Sequence, residues 1–394
     1  MEKALSNPSP AAPVQPFPRP STPPAGCPFE PSGSIRGIRL TGRHAEYTGA
    51  DTWYPSWSRD GSMYSGWTDG DVNGLGCASF GKDASTGWAR IVGNDPLNLQ
   101  VTDATIYPSS PAPYGGRYPC AYLAHKGVFY CGTYCLNNQV KGLNWDTMGP
   151  FVGLRWSTDA GKTWTQTPHT VERPIFGEPA QLNGPVKFGA PHFVDFGCEL
   201  EHSPDGKAYL VGHGCSDPTD QPRDAKLSWI TGDEVYLARV SPGIQTINDP
   251  AAYEFLAGPD AAGRATWSRR LADARPTARW VNNMGCVTMT YVPPLHKYLM
   301  CVTDGVNTIG MYNTYVLEGD QVCGPWRLVH YFHHFGRQAY FVNIPSRFIS
   351  ADGRRAWLCY SANFIHRDKP EWVDPPGSRY ALCLQEIELA VIGG

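Results

Sequence analysis

An aromatic residue recurs five times along this chain, each time at the centre of a short strand-like run that follows a polar turn. The five residues lie 59 to 89 positions apart, and they are Tyr64, Tyr130, Tyr209, Tyr298 and Trp357. Between them, further short runs after polar turns open on Trp88, Trp164, Trp267 and Trp326. Repeats of this length made of short strands are typical of a β-propeller, in which each repeat forms one four-stranded sheet. The pattern therefore predicts an all-β, five-bladed propeller.

The composition agrees with an all-β fold. The 394 residues include 42 glycines and 36 prolines, 12% are aromatic, and only 18% are charged. Many turn formers together with many aromatic residues favour short strands, and no long stretch repeats apolar residues at the helical period. We expect the helices to be short and few.

Charge and cysteine usage argue against several function classes. A net charge of −3 without a basic cluster argues against nucleic-acid binding. No apolar run approaches the roughly 18 residues of a membrane-spanning helix. The 12 cysteines form no CxxC pair, which favours buried thiols over a disulfide framework or a zinc site. We predict no metal and no cofactor, and the sequence leaves the oligomeric state open.

The two ends of the chain differ in character. Residues 1–30 hold nine prolines and lack the apolar segment of a signal peptide, so we expect a disordered arm there. The protein is then either cytoplasmic or secreted with its leader absent from this chain. Residues 31–394 are expected to form the single propeller domain. Because the last repeat offers only three strands, residues 35–47 are expected to close the ring as its outer strand.

One local motif supports the same fold. Residues 157–164 read STDAGKTW, which matches the Asp-box pattern S-x-D-x-G-x-T-W. Asp159 and the following glycine predict a tight hairpin, with Trp164 packed back against the sheet. The motif recurs in sialidases and other propellers, where it is a folding device away from the active face.

Polar and aromatic residues are expected to gather at one face of the propeller, where the innermost strands start and the loops between second and third strands lie. Carboxylates and amides beside aromatic rings are typical of sugar sites, and paired carboxylates can supply an acid and a base or nucleophile. The predicted catalytic residues are Asp51, Asp195, Glu199, Glu201 and His192. The predicted substrate-binding residues are Trp53, Trp67, Asp69, Tyr134, His213, Asn282, Asn283, Arg337 and Asn343.

Four sequence stretches carry a resemblance to a known group of enzymes. They are DTWYPSWSRDGSMYSGWTDG, VDFGCELEHSPDGKAYLVGHG, DPAAYEFLAG and YFVNIPSRFISADGRRAWLCYSANF. Over residues 35–390 the chain resembles the five-bladed carbohydrate-active enzymes, which include arabinanases, xylosidases and invertase-type glycosidases. It is similar in particular to a bacterial propeller family related to endo-D-arabinanases.

The resemblance implies a glycoside hydrolase with carboxylates in three blades. Asp51 matches the aspartate expected in blade one, and Glu199 or Glu201 matches the glutamic acid expected in blade three. From the repeat, CELEHS is expected to be the innermost strand of blade three, so that Glu199 and Glu201 point the same way, and WTQT is expected to be the outer strand of blade two. The loop SANFIHR, with the polar candidate Asn363, is expected at the same face as Asp51. Blade two departs from the family pattern, because YGGRYPCAY contains no carboxylate. Asp69, Asp71 or Asp195 would have to substitute for it.

Two alternatives stay open at this point. A polysaccharide lyase needs a cation to neutralise a uronate and a histidine or tyrosine to take the C5 proton. Groups of these kinds near the same face are His192, His213, His333, His334, Arg337, Tyr134 and Tyr340. A propeller that binds sugar without turnover is the other alternative.

Overall fold

The computed structural model describes residues 19–79, 83–109, 116–137, 147–178, 186–215, 228–305 and 309–393. Five antiparallel sheets are arranged as the blades of a propeller, which confirms the predicted all-β, five-bladed fold. Among the residues described, the helical segments are single 3₁₀ turns of three residues each. No helix in these ranges is long and apolar enough to cross a membrane.

The strands follow one another along the chain, blade by blade. Blade one contains Gly49–Asp51, Ser56–Trp57, Met63–Val72, Leu75–Cys77, Ser85–Val92 and Gln100–Pro108. Blade two contains Gly116–His125, Val128–Asn137 and Thr147–Ser157. Blade three contains Val186–Phe193, Ala208–Cys215, Glu234–Val240, Glu254–Pro259, Ala265–Ser268 and Ala278–Arg279. Blade four contains Gly285–Val292, Lys297–Asp304, Asn313–Gly319 and Arg327–Phe332. Blade five contains Tyr340–Asn343, Arg355–Ser361 and Leu382–Val391, together with Ile35–Tyr47. The 3₁₀ turns are Cys198–Leu200, Pro250–Ala252, Leu271–Asp273, Pro293–Leu295, Ser346–Phe348 and Pro370–Trp372.

The second strands of blades three and four are buried along almost their whole length because neighbouring blades cover both of their faces. In Lys297–Asp304, every residue after the first is buried. The corresponding strand of blade three, Ala208–Cys215, is buried at all eight positions. A continuous apolar run of this kind marks a strand with no solvent-facing side, in contrast to the alternating pattern of a half-buried strand.

The ring closes as predicted. Ile35–Tyr47 pairs antiparallel with Leu382–Val391 and becomes the outer strand of blade five. The register joins Leu40 to Ile387 and Tyr47 to Leu382. The segment that starts the propeller therefore completes its last sheet, and the edge of Leu382–Val391 is covered.

Two strand assignments made from the sequence are wrong. The segment CELEHS was expected to be the innermost strand of blade three, but that strand is Val186–Phe193, and CELEHS follows it as a 3₁₀ turn. In blade two the expected outer strand WTQT is reduced to a single bridge, in which Trp156 and Thr165 exchange two backbone hydrogen bonds of 3.0 and 2.8 Å.

Part of the segment expected to be a disordered arm contacts blade four, whereas residues 1–18 lie outside the described residues. The Ser21 hydroxyl accepts a hydrogen bond from the Tyr331 backbone at 3.0 Å, and the Glu30 carbonyl accepts one from the Leu328 backbone at 2.8 Å. The next residue, Pro31, forms a parallel bridge with Leu328, and proline, which donates no ladder hydrogen bond, fits such a sheet edge. The hydroxyls of Ser32 and Ser34, which follow, donate to Glu318 Oε1 at 3.0 and 2.9 Å.

We expect removal of residues 1–34 to lower the free energy of unfolding by about 2–4 kcal/mol, because buried Glu318 loses two hydrogen bonds. Removal of residues 1–18 is the control for shortening the chain, and urea unfolding measures both variants. If the two truncated proteins unfold at the same urea concentration, the arm contributes no stability.

The Asp-box forms the expected hairpin and fastens blade two to blade one. Asp159 Oδ1 accepts hydrogen bonds from Ser157 Oγ at 2.8 Å and from the Thr163 backbone at 2.9 Å. The Thr163 hydroxyl, which donates to Asp159 Oδ2 at 2.6 Å, and then these two hydrogen bonds lower the pKa of Asp159 to about 2. The Trp164 ring lies edge-to-face against Trp88 of blade one, with the ring centroids 5.0 Å apart.

Gly161→Ala should destabilise the protein by about 2–4 kcal/mol, through left-handed strain and an overpacked contact. Gly161 has φ +86°, and a Cβ there would lie 2.3 Å from Trp88. Gly127→Ala is the matched control, because Gly127 has φ +77° with no atom within 4 Å of its Cβ position. Thermal unfolding compares the two, and equal shifts in Tm would show that the Trp88 contact is not tight.

Candidate active site

A pocket of about 490 Å³ opens at the face where the innermost strands start and the loops between second and third strands lie. Its lining combines two carboxylates, one guanidinium and seven aromatic side chains. The lining residues are Asp51, Thr52, Asp69, Gly70, Cys77, Ala78, Ser79, Tyr118, Tyr134, Leu136, Trp229, Tyr340, Phe341, Phe364, Arg367 and Tyr380. Blades one, two, three and five contribute to it, so the pocket lies across the central axis of the propeller.

Asp51 lies where the innermost strand of blade one is interrupted. The next residue, Thr52, has φ +70°, which turns the chain out of the strand. Asp51 Oδ2 accepts a hydrogen bond from the Tyr340 hydroxyl at 2.6 Å, and Oδ1 accepts one from Thr52 Oγ1 at 2.8 Å. Burial raises the pKa of Asp51 to about 7, and the negative charge of Asp69 adds to the effect. Asp51 is therefore a carboxyl group that can hold its proton near neutral pH.

Asp69 is the second carboxylate of the pocket and lies at the end of the second strand of blade one. Its two oxygens accept hydrogen bonds from the backbone N–H and the hydroxyl of Ser79, at 2.7 and 2.5 Å. Burial raises the pKa of Asp69, whereas these two hydrogen bonds and the charge of Arg367 act in the opposite direction. The Tyr380 hydroxyl donates to the Asp69 backbone carbonyl at 2.7 Å and also stabilises the charged form of Asp51.

Aromatic rings form the walls. Trp229 is stacked on Phe341, with centroids 5.9 Å apart, and meets Tyr340 edge-to-face at 5.2 Å. On the side of blade two, Tyr118 and Tyr134 are stacked with centroids 5.3 Å apart. Flat apolar faces beside a few hydrogen-bonding groups suit the C–H faces and hydroxyls of a sugar ring.

Three of the predicted site residues line this pocket: Asp51, Asp69 and Tyr134. Tyr340, considered from the sequence as a candidate base, lines it as well. These residues were found because the starts of innermost strands and the second-to-third loops can be read from the repeat.

The three carboxylates predicted for blade three do not reach the pocket, which corrects the sequence-based placement. Asp195, Glu199 and Glu201 follow the innermost strand Val186–Phe193 and therefore lie at the opposite end of the propeller axis. Asp195 accepts hydrogen bonds from the Ser346 backbone and hydroxyl, both at 2.7 Å, and so ties blade three to blade five.

The two glutamates are also engaged at that opposite end. Glu199 is buried and forms an ion pair with Arg59 at 3.0 Å, whereas Glu201 Oε1 accepts from the Cys198 backbone at 3.0 Å. The chain turns sharply here, since Glu199 and Leu200 have φ of +51° and +68°. The expected alternation of a strand, which would have pointed both glutamates the same way, is therefore absent.

The two predicted histidines are buried behind the pocket. The His192 ring is stacked on Tyr54, with centroids 3.6 Å apart, and Phe341 separates it from the pocket. His213 is fully buried, and its Nε2 lies 2.9 Å from the Ser228 carbonyl oxygen. Burial lowers the pKa of both, that of His213 to about 4, so both rings are neutral at ordinary pH.

Trp53, Trp67 and Asn343 were predicted to bind substrate, but none of the three lines this pocket. Trp53 and Trp67 are 1% and 0% exposed, and they stack with their ring centroids 6.5 Å apart. Asn343 Nδ2 lies 3.0–3.1 Å from the backbone carbonyls of Trp53, Phe341 and Cys359. These side chains hold blade one against blade five.

The remaining candidates lie near the same face without lining the pocket. The Asn282 backbone donates to Asp233 Oδ1 at 3.0 Å, Asn283 Nδ2 donates to the Val281 carbonyl at 2.7 Å, and Arg337 lies 3.7 Å from Asp374. The rings of His333 and His334 stack on each other, also away from the pocket. In the described ranges, no group of three or more histidine, cysteine or acidic residues could hold a metal ion.

Sequence reasoning missed most of the aromatic wall and the one guanidinium. The missed residues are Tyr118, Trp229, Phe341, Phe364, Arg367 and Tyr380. Phe364 and Arg367 belong to the loop SANFIHR, which the repeat places at the correct face, but only its Asn363 was considered. Asn363 is in fact buried, and its Nδ2 donates to backbone carbonyls of Trp372 and Ser378.

Comparison with known proteins supports the fold. No model of a known protein family matches the chain, and no curated protein matches it. The structure is similar to a crystal structure from Bacteroides ovatus described as a candidate hydrolase, with 13% identity, a TM-score of 0.51, and coverage of 92% of this chain and 93% of that chain. A family 117 glycoside hydrolase of Zobellia galactanivorans gives 10% identity, a TM-score of 0.47, and coverage of 90% and 91%. A GH43_1 enzyme of Xanthomonas citri, solved with xylotriose, has 13% identity and a TM-score of 0.47, and the match covers 88% of this chain and 89% of that chain. At 13% identity the similarity to the Bacteroides ovatus structure speaks for the fold alone.

Proposed function

We propose that this protein is a glycoside hydrolase that binds its substrate in the aromatic pocket and uses Asp51 and Asp69 as its working carboxylates. The observation that carries the proposal is that two carboxyl groups, the buried Asp51 and the half-buried Asp69, line one pocket whose walls are aromatic rings. Glycoside hydrolysis commonly uses two carboxyl groups beside the scissile bond.

The two carboxyl groups suit different roles. Asp51, with its pKa raised to about 7, can donate a proton to the leaving glycosidic oxygen as the C–O bond breaks. Asp69 is held by Ser79 and lies in the field of Arg367, which favour its ionised form. It can take a proton from an attacking water or attack the anomeric carbon itself. In the first case, the water oxygen bonds to that carbon, and Asp69 receives the water proton.

A second candidate function is elimination beside a uronic acid. It is favoured by the 2.6 Å hydrogen bond between the Tyr340 hydroxyl and Asp51, together with Arg367 in the same pocket. In this reaction Tyr340 would pass its proton to Asp51 and take the C5 proton, while Arg367 neutralises the uronate carboxylate. The C4–O bond would then break as the C4=C5 double bond forms, and the leaving oxygen would take the proton held by Asp51. Burial and the neighbouring Asp51 charge raise the pKa of Tyr340, which opposes its action as a base.

The products distinguish these functions. The protein should be incubated with arabinan, arabinogalactan, pectin and gum oligosaccharides, and the products should be read by mass spectrometry and ultraviolet absorbance. Hydrolysis adds one water to the summed product mass, whereas elimination adds none and leaves an unsaturated sugar that absorbs in the ultraviolet. Binding without any product would favour the non-catalytic alternative and contradict the proposal.

A further inference from the structure

We propose that Arg367 makes the pocket selective for sugars that carry an anionic oxyacid group, either a uronate carboxylate or a sulfate ester. This inference rests on the proposed function only in taking the pocket as the sugar site. It adds a substrate class and a specificity-determining residue to that site.

The geometry of Arg367 fixes its guanidinium at the pocket wall. The guanidinium carbon lies 3.5 Å from the centroid of the Tyr380 ring, and Nε donates to the Phe364 carbonyl at 3.3 Å. Stacking on the ring sets the plane of the group, and the Nε hydrogen bond sets its rotation within that plane. The terminal nitrogens are thus held in place before any ligand binds.

Two other stacked arginines of this protein, Arg239 and Arg43, form ion pairs, whereas Arg367 forms none with the described residues. Arg239 lies over Trp267 and also forms ion pairs with Glu254 and Asp205 at 2.7 and 3.0 Å. Arg43 lies over Trp357 and pairs with Glu386 at 2.6 Å. Within the part of the chain that the structure describes, Arg367 forms no ion pair, although it is exposed at the pocket mouth. Its forked N–H donors are therefore free to meet a planar or tetrahedral anion.

The charges of the pocket are compatible with an anionic group beside Arg367. Below pH 7 the buried Asp51 carboxyl holds its proton and adds no negative charge. The other carboxyl group of the described lining, Asp69, has both oxygens engaged as acceptors from Ser79. A substrate anion therefore meets the Arg367 guanidinium on a pre-organised support.

The test compares sugars that differ in one anionic group. Calorimetry or ligand-observed NMR at pH 6 should measure glucose against glucuronate, galactose against galacturonate, and galactose against galactose 6-sulfate. We expect the anionic member of at least one pair to bind about tenfold or more tightly, as charge-assisted hydrogen bonds predict. A preference for the uronates or for the sulfated sugar identifies which anionic group the site binds.

Arg367→Ala should reduce that ratio to about one while leaving affinity for the neutral sugar little changed, and Arg367→Lys should retain part of it. Arg379→Ala is the control, because Arg379 pairs with Glu46 at 3.5 Å and does not line the pocket. Equal binding of anionic and neutral sugars to the wild-type protein overturns the inference, and so does a preference that survives in Arg367→Ala. Turnover of neutral and anionic substrates at equal rates would support the hydrolase proposal and contradict this inference. An Arg367-dependent preference for anionic sugars without turnover would support this inference and contradict the hydrolase proposal.

Discussion

Asp51→Asn and Asp69→Asn should each lower the turnover of the oligosaccharide substrate by about 10²- to 10⁴-fold, the usual contribution of a positioned acid or base. Asparagine is nearly isosteric with aspartate, but it can neither donate the proton to the leaving group nor accept one from water. Initial rates at saturating substrate measure the loss, and circular dichroism checks that both variants remain folded.

Asp71→Asn is the matched control, because Asp71 is exposed on the same blade and its carboxylate only accepts from the Gly74 backbone at 2.9 Å. This variant should keep its full rate. Full activity in both pocket variants would contradict the assignment. If Tyr340→Phe and Arg367→Ala abolished activity at the same time, the elimination mechanism would take its place.

The second large effect is on the free energy of unfolding, because burial raises the pKa of the Asp51 carboxyl in the folded protein. Its pKa is about 7 in the folded protein and near 3.8 in the unfolded chain. Between these values the unfolded chain releases a proton that the folded protein retains, so stability is lost as the pH rises from about 4 to about 7. Asparagine does not titrate and escapes this loss.

We therefore expect the difference in unfolding free energy between Asp51→Asn and the wild-type protein to shift in favour of the variant by about 2–4 kcal/mol between pH 4.5 and pH 8. Urea unfolding at the two pH values measures the difference, and any constant effect of losing a hydrogen bond cancels. Asp71→Asn is the control for replacing an exposed carboxylate of the same blade. A constant difference for Asp51→Asn would show that Asp51 ionises in the folded protein as it does in the unfolded chain.

The fold was predictable because each blade of a propeller repeats the same pattern of turns and strands in the sequence. Turn residues followed by short aromatic-centred runs located five second strands, and the missing last strand predicted the closure by Ile35–Tyr47. The same period located Asp51 and Asp69, because a residue at the start of an innermost strand or the end of a second strand has a defined face.

The errors arose where the local sequence does not determine the direction of the chain or the burial of a side chain. The segment of Glu199 and Glu201 reads as a strand, yet left-handed backbone at two residues turns it into a 3₁₀ segment after the strand. Trp53 looks like a rim aromatic, but because blades pack face to face it is buried between them. Residues 19–30 read as disordered from composition because their contacts, such as that of Glu30 with Leu328, are made with residues far away in the sequence.

The most direct test of the account is a crystal structure of Asp69→Asn with the oligosaccharide that the product screen identifies. The account predicts a sugar ring in the pocket against Trp229 and Phe341, with its glycosidic oxygen within hydrogen-bond distance of Asp51. Sugar bound at the opposite end of the propeller, beside Asp195, Glu199 and Glu201, or on the outer side of the blades with the pocket empty, would contradict it.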